Sequence, residues 1–523
     1  MRSTFMGLEI ARRGMFTQQS ALNTVGQNIA NANTPGYSRQ RVNFQSTSPY
    51  PAMGLNRVQL PGQTGTGVEA GSVQRIREGF LDLQFRVENN KFGYYGTLSE
   101  SLTKMEEIMN EPSESGLQNT MDKFWASLQD LASHSENTGA RDVVAANGQM
   151  VADTLNYYHN SLYRVQQDIG KQINVKVQEI NSLVDNIDKI NQQISKIEPH
   201  GYLPNDLYDQ RDQMVDQLSS LVNIKVTSVK PTNYGNAKEY AEGLYNIELV
   251  QEDGNSFNPP VNLISVSKAS GIIGTNKLTV SDDDGDGTLN GLVSSVKVGN
   301  TELASFNFSG ELSALIESYG YTDGTETYGF YPDMLQKLND YTEAFVNEFN
   351  TIHREGYDLN GQPGTDFFVL DPELGDNPAQ QIKVSDAILE DSSLIAASLT
   401  STGGSGDNDN AHHLAEINKK AFSEYETRSI LPDNMSGSLD SFYAGIIGKL
   451  AVDSQGTQKN ANNSLTLTDS VNTNRQSVSA VSLDEEMTDL VRFQHAYNAA
   501  ARTITVMDEM FDKIINGMGI VGR

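Results

Sequence analysis

Apolar residues follow a helical period at both ends of this chain and through most of its middle, and a strand period in one internal stretch. At the start, Leu8, Ala11, Met15, Gln18, Leu22, Val25 and Ile29 fall alternately three and four apart, the spacing of a narrow coiled-coil seam. The run Asn31-Ala32-Asn33-Thr34-Pro35-Gly36-Tyr37 then reads as a turn. Asn and Gly accept left-handed backbone and Pro35 pushes Thr34 out of the helical region, so the helix is predicted to stop near Asn31 to Asn33. At the far end Leu490, Phe493, Tyr497, Ala500, Ile504, Met507, Phe511 and Ile514 keep the same alternation until Gly517 and Gly519. Ser482 and Glu485 read as the capping box that opens that helix.

Between the ends, Phe44 to Gly71 is a connector rich in Pro, Gly, Ser and Thr, in which Val58 to Leu60 and Gly67 to Glu69 could pair as strands. Helical spacing returns from Arg77 with Phe80, Leu83 and Val87, then Leu98, Leu102, Met105 and Ile108, and stops at Glu111-Pro112-Ser113. Met121 to Ala132 is a second block, with Trp125. A third begins near Arg141 and carries the strongest seam: Leu162, Ile169, Ile173, Ile180, Leu183, Ile187, Ile190, Ile194 and Ile197, interrupted by Gln166 and Lys176. Glu198-Pro199-His200-Gly201 breaks it and Asn205 to Leu221 returns as a helix. From Ile224 to about Gly329 the pattern alternates, as in Tyr245/Ile247/Leu249 and Val296/Val298, and predicts a β insertion. Helix resumes at Pro332, Asp371 to Ser405 is mixed and polar, and Ser438 to Asn474 is a polar helix suited to packing on one neighbour. The fold class expected is mainly α with an inserted β domain, elongated and multi-domain.

Charge removes some classes of function. Against 38 basic residues stand 67 acidic ones, a net charge of -29, which opposes nucleic acid and anionic membrane as partners. With no cysteine there are no disulfides and no thiolate metal sites. Neither a cleavable signal peptide nor a run of about 18 apolar residues is present, which on its own reads as cytoplasmic.

Candidate chemistry is sparse. The glycines from Gly62 to Gly67 lack the Lys-Ser/Thr of a phosphate loop and read as a flexible loop. Asp282, Asp284, Asp286 and Gly287 match the first half of a calcium loop, but the twelfth position is Val293; an acidic hairpin turn is the first reading and a weak calcium site the second. His353 has no nucleophile or second ligand nearby and reads as a structural helix-end histidine. His412 and His413 point about 100° apart on a helix and do not chelate together with Glu416. Asp209, Arg211 and Asp212 read as a solvated, salt-bridged face. No catalytic residue, metal or cofactor is expected.

Several runs resemble a known family. Asn28 to Gln40, NIANANTPGYSRQ, is similar to the N-terminal signature of bacterial flagellar axial proteins, and its TPGYSRQ wording resembles the FlgK family of the hook-filament junction. The runs DLYDQRDQMVDQLS from Asp206, FNTIHREGYDLNG from Phe349, GDNDNA from Gly406, and SLDEEMTDLVRFQHAYNAAARTI from Ser482 are similar to further flagellar stretches. The resemblance implies a non-enzymatic structural protein that leaves the cell uncleaved through the flagellar type III apparatus and joins hook to filament. It implies an inner domain of paired terminal helices, 1–75 plus 475–523; a helical rod-like domain, 76–223 plus 330–474, with a small polar subdomain near 366–405; and an outward β insertion, 224–329. The assembly interface is expected at Leu8, Met15, Leu22, Val25, Ile29, Asn31, Asn33, Pro35, Gly36 and Tyr37, and at Leu490, Phe493, Tyr497, Ile504, Met507, Phe511 and Ile514. Implied partners are further copies of the chain, the hook protein, a second junction protein, flagellin indirectly, and an export chaperone on the last helix. The alternatives are a hook or rod protein and, from a different class, a calcium-dependent surface adhesin resting on the Asp282 to Asp286 loop.

Overall fold

The computed structural model describes residues 5–51, 62–282, 289, 291–324, 326–401, 407–425, 427, 432 and 435–517. Helix α1 (Phe5–Ala30) ends just before the Asn-rich turn, and Gly36 takes the left-handed φ of 79° that the turn requires. The connector is more ordered than its composition suggests. Strand β1 (Gln40–Ser46) pairs antiparallel with β2 (Val68–Arg75), so Glu69 meets Gln45; Val58 to Leu60 fall outside the described residues.

Helix α2 (Gly79–Met109) is closed by Asn110 in left-handed conformation, and is followed by α3 (Leu117–Ser133) and α4 (Thr138–Ile197). The 60 residues of α4 span about 90 Å at 1.5 Å per residue. A single 3-10 turn at Glu198–His200 and Gly201 at φ 85° reverse the chain into α5 (Asn205–Leu221), the expected return helix. The seam of α4 is buried as expected through Ile173, Ile180, Ile187 and Ile194, but Val184 occupies the inner position in place of half-buried Leu183. Gln166 is buried within the seam because its amide donates to the Tyr319 carbonyl at 2.7 Å.

The alternating stretch forms strands. A four-stranded antiparallel sheet contains β3 (Ile224–Val229), β4 (Leu244–Val250), β5 (Ser256–Val266) and β6 (Ile273–Thr275), and a three-stranded one β7 (Leu278–Ser281), β8 (Ser295–Val298) and β9 (Thr301–Glu302). Helix α6 (Glu311–Tyr319) and the hairpin of β10 (Tyr321–Asp323) and β11 (Glu326–Tyr328) complete it. This segment does not stand apart from the rod. Leu278, Val296, Leu312 and Leu315 share one apolar cluster with Leu102, Leu162 and Ile173, and Gly93 on α2 lies so close to Glu311 that a Cβ would meet its side chain at 3.2 Å. Short strands with one apolar face bury that face on the nearest helices.

Helix α7 (Phe330–Glu355) brings Phe345 and Phe349 against Phe124, Phe367 and Phe368, an aromatic cluster with centroids 4.8 to 6.1 Å apart. The stretch near 366–405 carries β12 (Phe368–Leu370), α8 (Pro378–Gln381), β13 (Ile382–Val384) and α9 (Asp386–Glu390), with β12 paired to β13, and α10 (Asp409–Glu416) follows. Helix α11 (Leu439–Ser479) starts at a capping box of Ser438 and Ser441. Below Leu450 it buries Ser454, Thr457, Ala461, Ser464 and Thr468, small side chains that let it lie close along α2, with Ser454 on Glu106 and Gln458 on Ser99. Helix α12 (Leu483–Gly517) returns along α1. Phe80, Leu83 and Val87, which carry the expected helical spacing, lie on the outside, Phe80 with 64% of its surface exposed, because α11 and α5 cover the other faces of α2.

Candidate assembly site at the joint of the terminal helices

Helices α1 and α12 run antiparallel. Phe5 stacks on Phe511 with centroids 4.7 Å apart, Gly7 faces Met507, Gly14 faces Ala500, and Asn28 reaches Glu486 at 3.0 Å. Of the interface residues expected from sequence, Val25 is buried; Leu8, Met15, Leu22, Ile29, Asn31, Tyr37, Leu490, Phe493, Tyr497, Ile504, Met507 and Phe511 are half-buried; Asn33, Pro35, Gly36 and Ile514 are exposed. The seam residues of this pair are covered from one side only, so the seam stays partly wet. Phe16, Met487, Val491, Val506, Met510 and Ile515 are also exposed and were missed, because they lie off the three-four seam. The i, i+4 rows of Met487 and Val491, and of Val506, Met510 and Ile514, were the available signal.

Where the pair meets the body, the turn after α1 is tied by its own polar groups. Buried Asn28 donates to the Gln40 carbonyl at 2.8 Å and to Glu486, and accepts from the Gln40 amide at 3.0 Å and the Tyr37 hydroxyl at 2.9 Å, so its amide is fully satisfied. Burial, then Asp206, Asp209 and Glu486, push the Tyr37 phenol up, which keeps that donor protonated. Arg39 pairs with Glu486 at 2.6 Å and with Glu485, and its amide donates to the Ser479 carbonyl at 2.8 Å. Glu485, read as part of a capping box, is thus engaged across the joint.

Beneath this lies a buried charge network. Arg75 contacts Asp209 at 2.6 Å, Asp212 at 2.7 Å and Glu242 at 2.5 Å. Arg77 and Arg86 each reach Asp212 at 3.3 Å, and the Tyr245 hydroxyl donates to it at 2.9 Å. Arg211 donates to the Gly243 carbonyl at 2.7 Å and to Glu242 at 3.1 Å, with its guanidinium 3.4 Å from the Tyr245 ring centroid. Arg475 from α11 joins through Asp216 at 2.5 Å. The solvated-face reading of Asp209, Arg211 and Asp212 is overturned: they are 7%, 0% and 1% exposed. The face that α5 would show to water in isolation is covered by β2, the start of α2 and the chain entering β4. Burial works against the charge of Asp212, but Arg75, Arg77, Arg86 and Arg211 outweigh it and hold its carboxyl far below the usual range. The same balance, with Asp212, Glu242 and Asp209 as the partners, raises Arg75. The Ser38 amide donates to Asp209 at 3.0 Å, and so couples the turn to the network.

The other candidates are structural. His353 is buried, donating from Nδ1 to the Thr365 carbonyl at 2.5 Å and accepting at Nε2 from the Ala396 amide at 3.0 Å; burial pushes its pKa down to about 4. His412 and His413 are exposed on α10. Asp282 accepts from the Gly291 amide at 3.0 Å, while Asp284 and Asp286 lie outside the described residues. Among the described residues no cluster of His, Asp and Glu has metal-site form.

The chain is 43% identical to flagellar hook-associated protein 1 of Bacillus subtilis over 531 aligned residues, covering 100% of both. It belongs to the flagellar hook-associated protein 1 family. The family model described as the FlgK helical domain matches residues 102–368, the flagella basal body rod model matches 8–37, and the C-terminal model of the FlgEFG rod proteins matches 473–517. The Escherichia coli hook-associated protein 1 is 23% identical over 97% of this chain and 98% of its own. Among solved structures, the flagellar hook junction protein FlgK of Burkholderia pseudomallei shares the fold, with a TM-score of 0.54 and 14% identity over 75% of this chain and 100% of its own. The two rod-type segments of this family member, remote in sequence, are the ones that Asn28 and Glu486 bring together, with Arg39 just beyond the first of them bonded to Ser479 and Glu486.

Proposed function

We propose that this chain is an exported structural subunit that joins hook to filament, self-assembling through α1 and α12. The observation that carries this reading is the terminal pair itself, a hairpin with a half-buried seam and further apolar residues on its outer side. Neither surface is closed within one copy, and burying it against neighbours drives assembly. The neighbours are further copies, the hook protein and a second junction protein, with flagellin held indirectly and an export chaperone engaging α12 before assembly. The subunit is extracellular after type III export, without a cleaved signal peptide, and has no catalytic role. Residues 1–75 plus 475–523 act as the inner domain, and 76–223 plus 330–474 as the rod, onto which 224–329 is packed. Deleting the gene tests this: hooks should form while flagellin is lost to the medium, and unchanged filaments would overturn it. A hook or rod protein is opposed by extent, since the Caulobacter vibrioides rod protein FlgG matches only 14% of this chain. A calcium-dependent adhesin would show a large rise in melting temperature on adding calcium.

A further inference from the structure

Gly7, Gly14, Ala21 and Asn28 stand seven residues apart on α1, and Met507, Ala500, Phe493 and Glu486 stand seven apart in the opposite direction on α12. Gly7 meets Met507, Gly14 meets Ala500, with an added Cβ 4.0 Å from the alanine methyl, and Asn28 meets Glu486. Between its first and last contacts this row holds Gly14 and Ala21 on α1, and Ala500 and Phe493 on α12. A slip of one heptad would place Gly7 or Ala21 against Ala500; it would part Phe5 from Phe511 and Phe44 from Phe493, but Phe5 and Phe44 are 64% and 43% exposed, so little buried apolar surface is lost with them. The last pair discriminates most: Glu486, 1% exposed, would lose both Asn28 and Arg39, leaving a buried carboxylate unpaired. We propose that Asn28 and Glu486 are positioning residues that set the register of α12 on α1, so that the joint and not the apolar seam decides which residues the terminal pair presents outward. A single polar contact fixing the register of an otherwise degenerate seam is established for coiled coils. The inference rests on the pairing of α1 with α12 and stands apart from the junction role.

Disulfide trapping in the full chain tests it, since there is no native cysteine. The pair Gly14→Cys with Ala500→Cys should crosslink. Gly7→Cys or Ala21→Cys with Ala500→Cys should not, because a heptad is about 10 Å of helix, beyond disulfide reach. Asn28→Ala with Glu486→Leu keeps an apolar contact and removes the polar choice; in that background the heptad-shifted pairs should rise about tenfold at the expense of the native pair. Glu486→Gln, which can still accept from Asn28, should keep the native pair dominant. Circular dichroism monitors helix content in each variant. If the native pair stays dominant in the double variant, the seam sets register and the proposal fails. If all pairs vanish together with helical signal, the joint holds docking and not register, which also overturns it.

Discussion

Replacing Asp212 by Asn keeps the shape of the side chain and removes its charge from the centre of the network. Arg75 at 2.7 Å, Arg77 and Arg86 at 3.3 Å, and the Tyr245 hydroxyl at 2.9 Å all address this one carboxylate. Had the face been solvated, each pair would contribute under about 1 kcal/mol. Buried, loss of one partner strands the others, and such losses cost about 3–5 kcal/mol. Asp209, Asp216 and Glu242 still neutralise part of the arginine charge, which places the expected cost near the lower end, about 3 kcal/mol. Trp125 is the one tryptophan and lies in the body core, so its fluorescence follows unfolding of the body in urea. The variant midpoint should fall by about 1 M. Acid supplies a second signature. A carboxyl depressed in the folded state stabilises above its unfolded value of 3.8 and loses that contribution as pH falls below it toward the folded value. The native chain should therefore lose more stability below about pH 4 than Asp212→Asn, in which other depressed carboxyls such as Asp371 and Asp407 still respond to acid. A midpoint shift under about 0.3 M, with an unchanged acid profile, would refute the buried-network account.

For His353 the folded pKa near 4 lies below the unfolded 6.5, so the neutral ring stabilises above pH 6.5 and stability should fall by about 3 kcal/mol between pH 6.5 and 4; urea titrations at pH 7 and pH 5 on the native chain and His353→Gln compare the two slopes. Phe493, Ile504 and Phe511 changed together to Ser should leave Trp125 fluorescence native while abolishing incorporation between hook and filament, and normal motility in that variant would contradict the role given to α12. Removing residues 224–329 should prevent the body from folding, because Leu312 and Leu315 are part of its core; a soluble deletion product with native Trp125 emission would show that the segment is dispensable.

Local rules in the chain already determined much of this molecule. The three-four spacing along Leu8 to Ile29 and Leu490 to Ile514, the turn at Pro35-Gly36, and the break at Pro199-Gly201 each act through neighbours within one or two helical turns, so helices α1, α5 and α12 and their ends were legible without a structure. So was the structural role of His353, from the lack of any partner chemistry around it. Burial was not legible where it depends on a remote segment. Asp209, Arg211 and Asp212 look solvent-bound in α5 because nothing nearby in sequence reveals that Arg75, Arg86 and Glu242 will cover them. The spacing of Phe80, Leu83 and Val87 marks the helix but not its buried side, and α2 turns its other faces to α5 and α11. The strands after Ile224 alternate as an independent sheet would, but the long helices α2 and α4 offer their apolar surface first. Periodicity specifies which face of an element is apolar, whereas which partner covers a polar face is decided by the approach of elements hundreds of residues apart. The joint of Asn28, Arg39, Asp209 and Glu486 exists only once that approach has occurred.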